Sequence, residues 1–64
     1  AGGFNYRIRG SRYHLLLVKD SLWKAAKINT RLQAGYLYVN VKDASELVAL
    51  QTVCNLLNLQ YEQF

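Results

Sequence analysis

The sequence predicts an α+β fold, with a small three- or four-stranded, mainly antiparallel sheet and two helices on one of its faces. Three stretches carry this prediction: two alternate apolar and polar residues, at 4–18 and 36–41, and one, at 44–57, is apolar with helical spacing. The predicted element order is strand, strand, helix, strand, helix, possibly followed by a fourth strand. A right-handed crossover between the second and third strands leaves the other sheet face open.

The first predicted element is a hairpin over residues 4–18. Gly10 and Ser11 are interpreted as its two-residue turn, because a glycine in the first position is typical of a type II′ turn. In this register the outer face of the hairpin carries four basic side chains in facing pairs, Arg9 with Arg12 and Arg7 with His14. The opposite face is apolar and predicts the first part of the core.

A helix is predicted next, over residues 22–33. Asp20 or Ser21 is the expected N-cap, and Gly35 follows at the position where helices favour a left-handed residue. Opposite the apolar side of this helix lies a basic stripe, which is either a solvated face or a secondary contact for phosphate: Lys24, Lys27 and Arg31.

The stretch 36–41 predicts a half-buried strand. Leu37, Val39 and Val41 occupy one face, whereas Tyr36 and Tyr38 occupy the other. If this strand pairs into the sheet with its aliphatic side inward, the two tyrosines share the open face with the arginines of the predicted hairpin.

The second helix is predicted over residues 44–57. Asp43 is positioned to cap the backbone of Glu46, which is also the only charge of the helix. The apolar arc is wider than one sheet face would cover, which favours contact with a second copy or a larger protein. The predicted interface consists of Ala49, Val53 and Leu56, with Trp23 of the preceding helix. The tail, residues 59–64, is either a short edge strand or a continuation of the helix.

Composition bounds the function further. Of 64 residues, 52% are hydrophobic, and 8 Lys and Arg against 4 Asp and Glu give a net charge of +4. This balance favours nucleic acid or an acidic protein as partner.

Ala1, Gly2 and Gly3 are interpreted as a cloning scar or linker that precedes a single domain at 4–64. No stretch approaches the roughly 18 apolar residues of a membrane span, so no membrane contact is expected.

Catalysis and metal binding are not expected. Cys54, the only cysteine, lies in an apolar run and is interpreted as a buried thiol in a reducing, intracellular compartment, cytoplasmic or nuclear. His14 is the only histidine, and neither the cysteine nor an acid has a spacing that would bring a nucleophile or metal ligand beside it. No glycine-rich phosphate loop is present, and no cofactor is expected.

Two function classes remain. In the first, a non-enzymatic domain binds nucleic acid, because bases stack on exposed rings while phosphates meet cations. Its primary residues are Arg7, Arg9, Arg12, His14, Tyr36 and Tyr38, with the basic stripe as a secondary patch. In the second, the domain is a protein-interaction or homodimerisation module that uses the apolar second helix. Tyr, Trp and Arg are enriched at protein hot spots, so the same side chains suit both classes.

Overall fold

A computed structural model describes residues 3–64; Ala1 and Gly2, assigned above to a scar or linker, lie outside the described residues. Six elements follow one another: β1 (Tyr6–Arg9), α1 (Arg12–Ala26), β2 (Thr30–Gln33), β3 (Tyr36–Val39), α2 (Ala44–Leu57) and β4 (Gln60–Gln63). The sheet order is β2-β3-β1-β4, and every neighbouring pair is antiparallel. This is the split β-α-β arrangement, and it confirms the α+β fold, with four strands.

Both helices pack on the same face of the sheet. The central strands direct Ile8, Leu37 and Val39 into the core, where all three are fully buried. The helices supply the opposing layer, with Leu15, Val18 and Leu22 from α1 and Leu50 and Cys54 from α2. Neither α1 nor α2 packs on the other sheet face, which no element of residues 3–64 covers.

The predicted hairpin over residues 4–18 is wrong, because a helix begins where its second strand was expected. Ser11 is the N-cap of α1, and its Oγ accepts a hydrogen bond from the backbone N–H of His14 at 3.2 Å. Gly35 is the one glycine of the described chain with positive φ, so Gly10 does not form a type II′ turn. Arg9 and Arg12 therefore do not face each other.

The physical reason for this difference lies in the spacing of the buried residues. Leu15, Val18 and Leu22 recur at three and four residues, which places them on one side of a helix. The run from Leu15 to Val18 does not alternate, and a half-buried strand requires alternation. A serine that can accept a hydrogen bond from the third residue after it completes the helix signal.

The predicted helix over residues 22–33, with Asp20 or Ser21 as N-cap, is also wrong. Its first part belongs to α1, which ends at Lys27 in a left-handed C-cap with φ 54°. Residues 30–33 form β2 instead. Gly35, with φ 81°, lies beside Ala34, with φ 53°, in the two-residue turn between β2 and β3. Two positive φ values in succession are the geometry of a type I′ hairpin turn.

The second half of the sequence prediction is confirmed. The strand starts at Tyr36 as expected, and its aliphatic side is buried. Helix α2 spans the predicted residues, and the side chain of Asp43 accepts a hydrogen bond from the Glu46 backbone at 2.9 Å. This hydrogen bond lowers the pKa of Asp43. The tail is an edge strand, since β4 pairs with β1 after Asn58 ends α2 in a left-handed C-cap.

Candidate nucleic-acid interface

The open sheet face presents two rows of side chains that cross all four strands. Successive residues of a strand point to opposite faces, so the residues between the buried positions point outward. One row, from β2 to β4, consists of Gln33, Tyr36, Arg9 and Gln60, and the next of Arg31, Tyr38, Arg7 and Glu62. Three arginines and one glutamate thus surround two tyrosines of a central strand.

Four aromatic rings are grouped on this face around Tyr38. The centroid of the Tyr38 ring lies 6.4 Å from that of Phe4, 6.0 Å from that of Tyr36 and 5.9 Å from that of Phe64. Phe4 is 36% exposed and Phe64 is 61% exposed. Because both helices occupy the opposite face, no helix covers this aromatic cluster, and only the Arg7 side chain lies over the rings of Tyr36 and Phe64.

Arg7 is held inside the cluster by its neighbours. Its Nε donates a hydrogen bond to Oε1 of Glu62 at 2.6 Å. The guanidinium carbon lies 4.7 Å from the Tyr36 ring centroid and 5.7 Å from that of Phe64. The hydrogen bond to Glu62 raises the pKa of Arg7. The positive charge of Arg7 is therefore largely compensated within the face.

Arg9 and Arg31 differ from Arg7 in having no such partner. Both are exposed, and within residues 3–64 neither side chain makes an ion pair or a hydrogen bond. Each lies directly opposite one tyrosine of β3: Arg9 faces Tyr36 from β1, and Arg31 faces Tyr38 from β2. The uncompensated charge of the face is therefore placed on the two sides of β3.

Two shallow depressions accompany these pairs. The first, of about 190 Å³, is lined by Tyr36, Arg9 and the Arg7–Glu62 ion pair, together with Gln60 and Tyr61 of β4. The second, of about 300 Å³, is lined by Tyr38 and Arg31 between Phe4 and Phe64. Each depression thus combines an aromatic ring with a free guanidinium group, which can bind a flat ring and an anion together.

The structure brings together only part of the predicted site. Arg7, Arg9, Tyr36 and Tyr38 share the open face as predicted. Arg31 joins them from β2, although the sequence prediction placed it on a helix. The signal for this position was the alternation on both sides of Ala-Gly at 34–35, which is typical of a hairpin.

The other predicted cations lie on the helical side. Arg12 and His14 are in the first turn of α1, so the predicted cluster of four basic residues on one hairpin face does not exist. Lys24 belongs to α1 and pairs with Asp20 at 3.0 Å. Lys27 is the C-cap of α1 and Arg31 belongs to β2, so the predicted stripe of Lys24, Lys27 and Arg31 is divided between the end of a helix and a strand.

Sequence reasoning missed the two phenylalanines of the cluster. Phe4 has the same parity as the inward residues of β1, but it precedes the strand, which begins at Tyr6, and its ring contacts Tyr38 instead. Phe64 follows β4, whose existence the sequence left open. A hydrogen bond of 3.0 Å from the Phe64 backbone N–H to the Asn5 carbonyl oxygen fixes its position.

The four predicted interface residues fall into two groups. Leu56 and Trp23 are 80% and 51% exposed. Ala49 and Val53 are half-buried and pack against the core. The wide apolar arc of α2 is therefore divided between a side that serves the core and an outer side that is uncovered in the single chain.

The described residues offer little support for a reactive thiol, a metal site or a membrane-spanning helix. Burial raises the pKa of the Cys54 thiol to about 11, so it is a neutral core group at neutral pH. Within residues 3–64, no three His, Cys, Asp or Glu side chains lie together in an arrangement that could hold a metal ion. Neither α1 nor α2 has the length and apolar character needed to cross a membrane.

Comparison with known proteins adds no relative to this description: no family model, no curated protein and no solved structure matches the chain.

Proposed function

We propose that this protein is a non-enzymatic nucleic-acid-binding domain that uses its open sheet face. One observation carries the proposal: two uncompensated arginines, Arg9 and Arg31, flank a cluster of four rings that no described element covers. Aromatic rings supply stacking surfaces for bases, and guanidinium groups bind phosphate oxygens in a bidentate way.

The physical case rests on the combination of rings and cations. Stacking of a base on an aromatic side chain contributes about 1–3 kcal/mol and tolerates every base. The carboxylates of an acidic peptide could also pair with the arginines. Such a peptide carries no flat ring beside each negative charge, whereas a nucleic acid carries a base beside each phosphate. The net charge of +4 attracts a polyanion over a longer range, although salt screens that attraction.

The first test is a fluorescence-anisotropy titration of a labelled 12-nucleotide oligonucleotide at two salt concentrations. Affinity should fall steeply with salt, because each phosphate contact releases condensed counterions. Arg9→Gln and Arg31→Gln should each weaken binding and lower the salt slope by roughly 0.7 per lost contact to a single strand. Lys24→Gln is the matched control, since Lys24 already pairs with Asp20 on the helical side. Absence of binding at low salt would refute the proposal.

A second function is favoured by the outer side of α2. Leu56 is 80% and Val48 58% exposed, and the helix carries no charge except Glu46. We propose that a second copy covers this side, because two such surfaces meet without repulsion in a chain that is otherwise strongly basic. Sedimentation should show a dimer that Leu56→Glu dissociates. Thr52→Glu places a charge on the same side of α2 with less loss of apolar surface, and it should dissociate the dimer as well. A wild-type monomer at high protein concentration contradicts this function.

We also propose an intracellular, reducing location. Support comes from the single thiol, which is buried and has no partner cysteine. Imaging of a tagged chain tests the location, and secretion of the folded domain would contradict it.

A further inference from the structure

We infer that the ligand of the open face is an extended single strand, of which two successive, unstacked nucleotides occupy the two depressions. This inference rests on the proposed function and names the class of nucleic acid that the same face binds. It is carried by two tyrosine–arginine pairs on neighbouring rows of the face, Tyr36 with Arg9 and Tyr38 with Arg31, each beside its own depression.

Ring spacing selects an unstacked ligand. The centroids of Tyr36 and Tyr38 lie 6.0 Å apart. Bases within one strand of a duplex repeat about every 3.4 Å, and their flat faces are covered by neighbouring bases. Two successive bases can rest on the two rings only if they are pulled apart, which a single strand permits at little cost and a duplex does not.

The positions of the free arginines set the course of the ligand. Arg9 lies on the β1 side of β3, whereas Arg31 lies on its β2 side and one row further. Phosphates that meet both groups therefore belong to a backbone that crosses β3 obliquely. Glu62, on β4, lines the depression beside Tyr36 and repels phosphate, while Arg7 remains bound to Glu62. The phosphate of the nucleotide in that depression is therefore directed to Arg9, away from Glu62.

The test compares a single-stranded 12-mer with a 12-base-pair duplex that contains the same strand, at equal salt. The wild type should bind the single strand about tenfold more tightly or better, in line with the stacking of one or two bases. Tyr36→Leu and Tyr38→Leu should each lower affinity for the single strand by about fivefold or more while affinity for the duplex stays within a factor of two. Tyr13→Leu is the matched control, because Tyr13 is 70% exposed but lies on α1.

Circular dichroism and thermal melting verify that each variant is folded before its affinity is compared. Uridine and deoxyuridine 12-mers, which differ only in the 2′-hydroxyl group, are both used, and a preference for one of them shows which sugar the face binds. Equal affinity for duplex and single strand overturns this inference but leaves nucleic-acid binding intact. Failure to bind either removes both. Polyglutamate that binds as tightly as an oligonucleotide of equal charge also overturns it, since rings would then contribute nothing.

Discussion

The open sheet face and the helical layer both display aromatic rings and cations, but the lysines of α1 and its C-cap are engaged by partners, whereas two arginines of the sheet face are not. Arg12, at the start of α1, is also exposed and unpaired within residues 3–64, but it lies outside the ring cluster. In the helical layer, Lys19 Nζ donates to the carbonyl and hydroxyl oxygens of Thr30 at 3.1 and 3.0 Å. Lys24 pairs with Asp20, and Lys27 Nζ lies 5.1 Å from the Trp23 ring centroid. On the sheet face, Arg9 and Arg31 have no such partners among the described residues.

If the sheet face binds a polyanion as proposed, this contrast predicts that the availability of charge matters more than its amount. A lysine that already donates to an oxygen or pairs with a carboxylate gains less from a ligand anion than a guanidinium group whose donors face only water. A larger depression, of about 410 Å³ between Trp23, Leu16 and Ile28, lies in the helical layer. Its lysine, Lys19, is bound to Thr30, so size alone does not identify the site.

The largest expected effect comes from removing both free arginines. Arg9→Gln with Arg31→Gln should lower affinity for single-stranded nucleic acid by about tenfold or more at low salt, because hydrogen bonds to charged groups contribute about 1.5–3 kcal/mol each. Lys24→Gln with Lys27→Gln removes the same formal charge from the helical layer and should change affinity by less than about threefold. Anisotropy titrations measure both. Equal losses in the two double variants would contradict the contrast.

The next effect concerns the stability of the helical layer alone. Ser11→Ala removes the N-cap of α1 and should lower the free energy of unfolding by about 1 kcal/mol. Urea denaturation followed by circular dichroism measures this change. Binding per folded molecule should stay the same, since Ser11 does not belong to the open face. An unchanged free energy of unfolding would argue against a helix that begins at this residue.

A smaller gain is expected in the turn that positions Arg31. Ala34 has φ 53°, which costs a residue with a Cβ about 1–2 kcal/mol, whereas glycine adopts this conformation freely. Glycine loses more conformational entropy on folding than alanine, and this loss offsets part of the gain. Ala34→Gly should therefore stabilise the domain by about 0.5 kcal/mol. Thermal melting measures it, and Ala25→Gly in the exposed part of α1 is the control that should destabilise. A destabilised Ala34→Gly would contradict the positive-φ turn.

A further effect, on affinity, is expected at Glu62. Glu62→Gln removes the one acidic side chain of the face and releases Arg7, so affinity for single-stranded nucleic acid should rise roughly twofold to fivefold. Asp20→Asn, which similarly releases Lys24 in the helical layer, should leave affinity nearly unchanged. Weaker binding by the Glu62 variant would show that the ion pair supports the ligand contacts rather than opposing them.

The sequence predicted the second half of the fold better than the first, for a physical reason. Asp43 and the alternation from Tyr36 onward are local signals, and each has one strong interpretation. Around Gly10 and Ser11, by contrast, the same residues suit a turn or a helix start. The helical spacing of Leu15 and its neighbours decides between them, and that signal extends further along the chain.

The candidate site was only partly predictable for the same reason. Tyr36, Tyr38, Arg7 and Arg9 lie on strands that the sequence identified, and they share the face as expected. Arg31 could be placed on the face only by recognising that Ala-Gly at 34–35 forms a hairpin turn. The pairing of Arg7 with Glu62 joins residues 55 positions apart and follows from sheet order, which no local pattern specifies.

The most direct test of the central claim is a ¹⁵N–¹H NMR titration of the whole chain with a single-stranded uridine 12-mer at low salt. Binding at the open sheet face predicts the largest shifts at the backbone amides of Arg9, Arg31, Tyr36 and Tyr38, with little change along α1 and α2. Shifts concentrated around Trp23, Lys24 or Leu56, or none at saturating oligonucleotide, would contradict it.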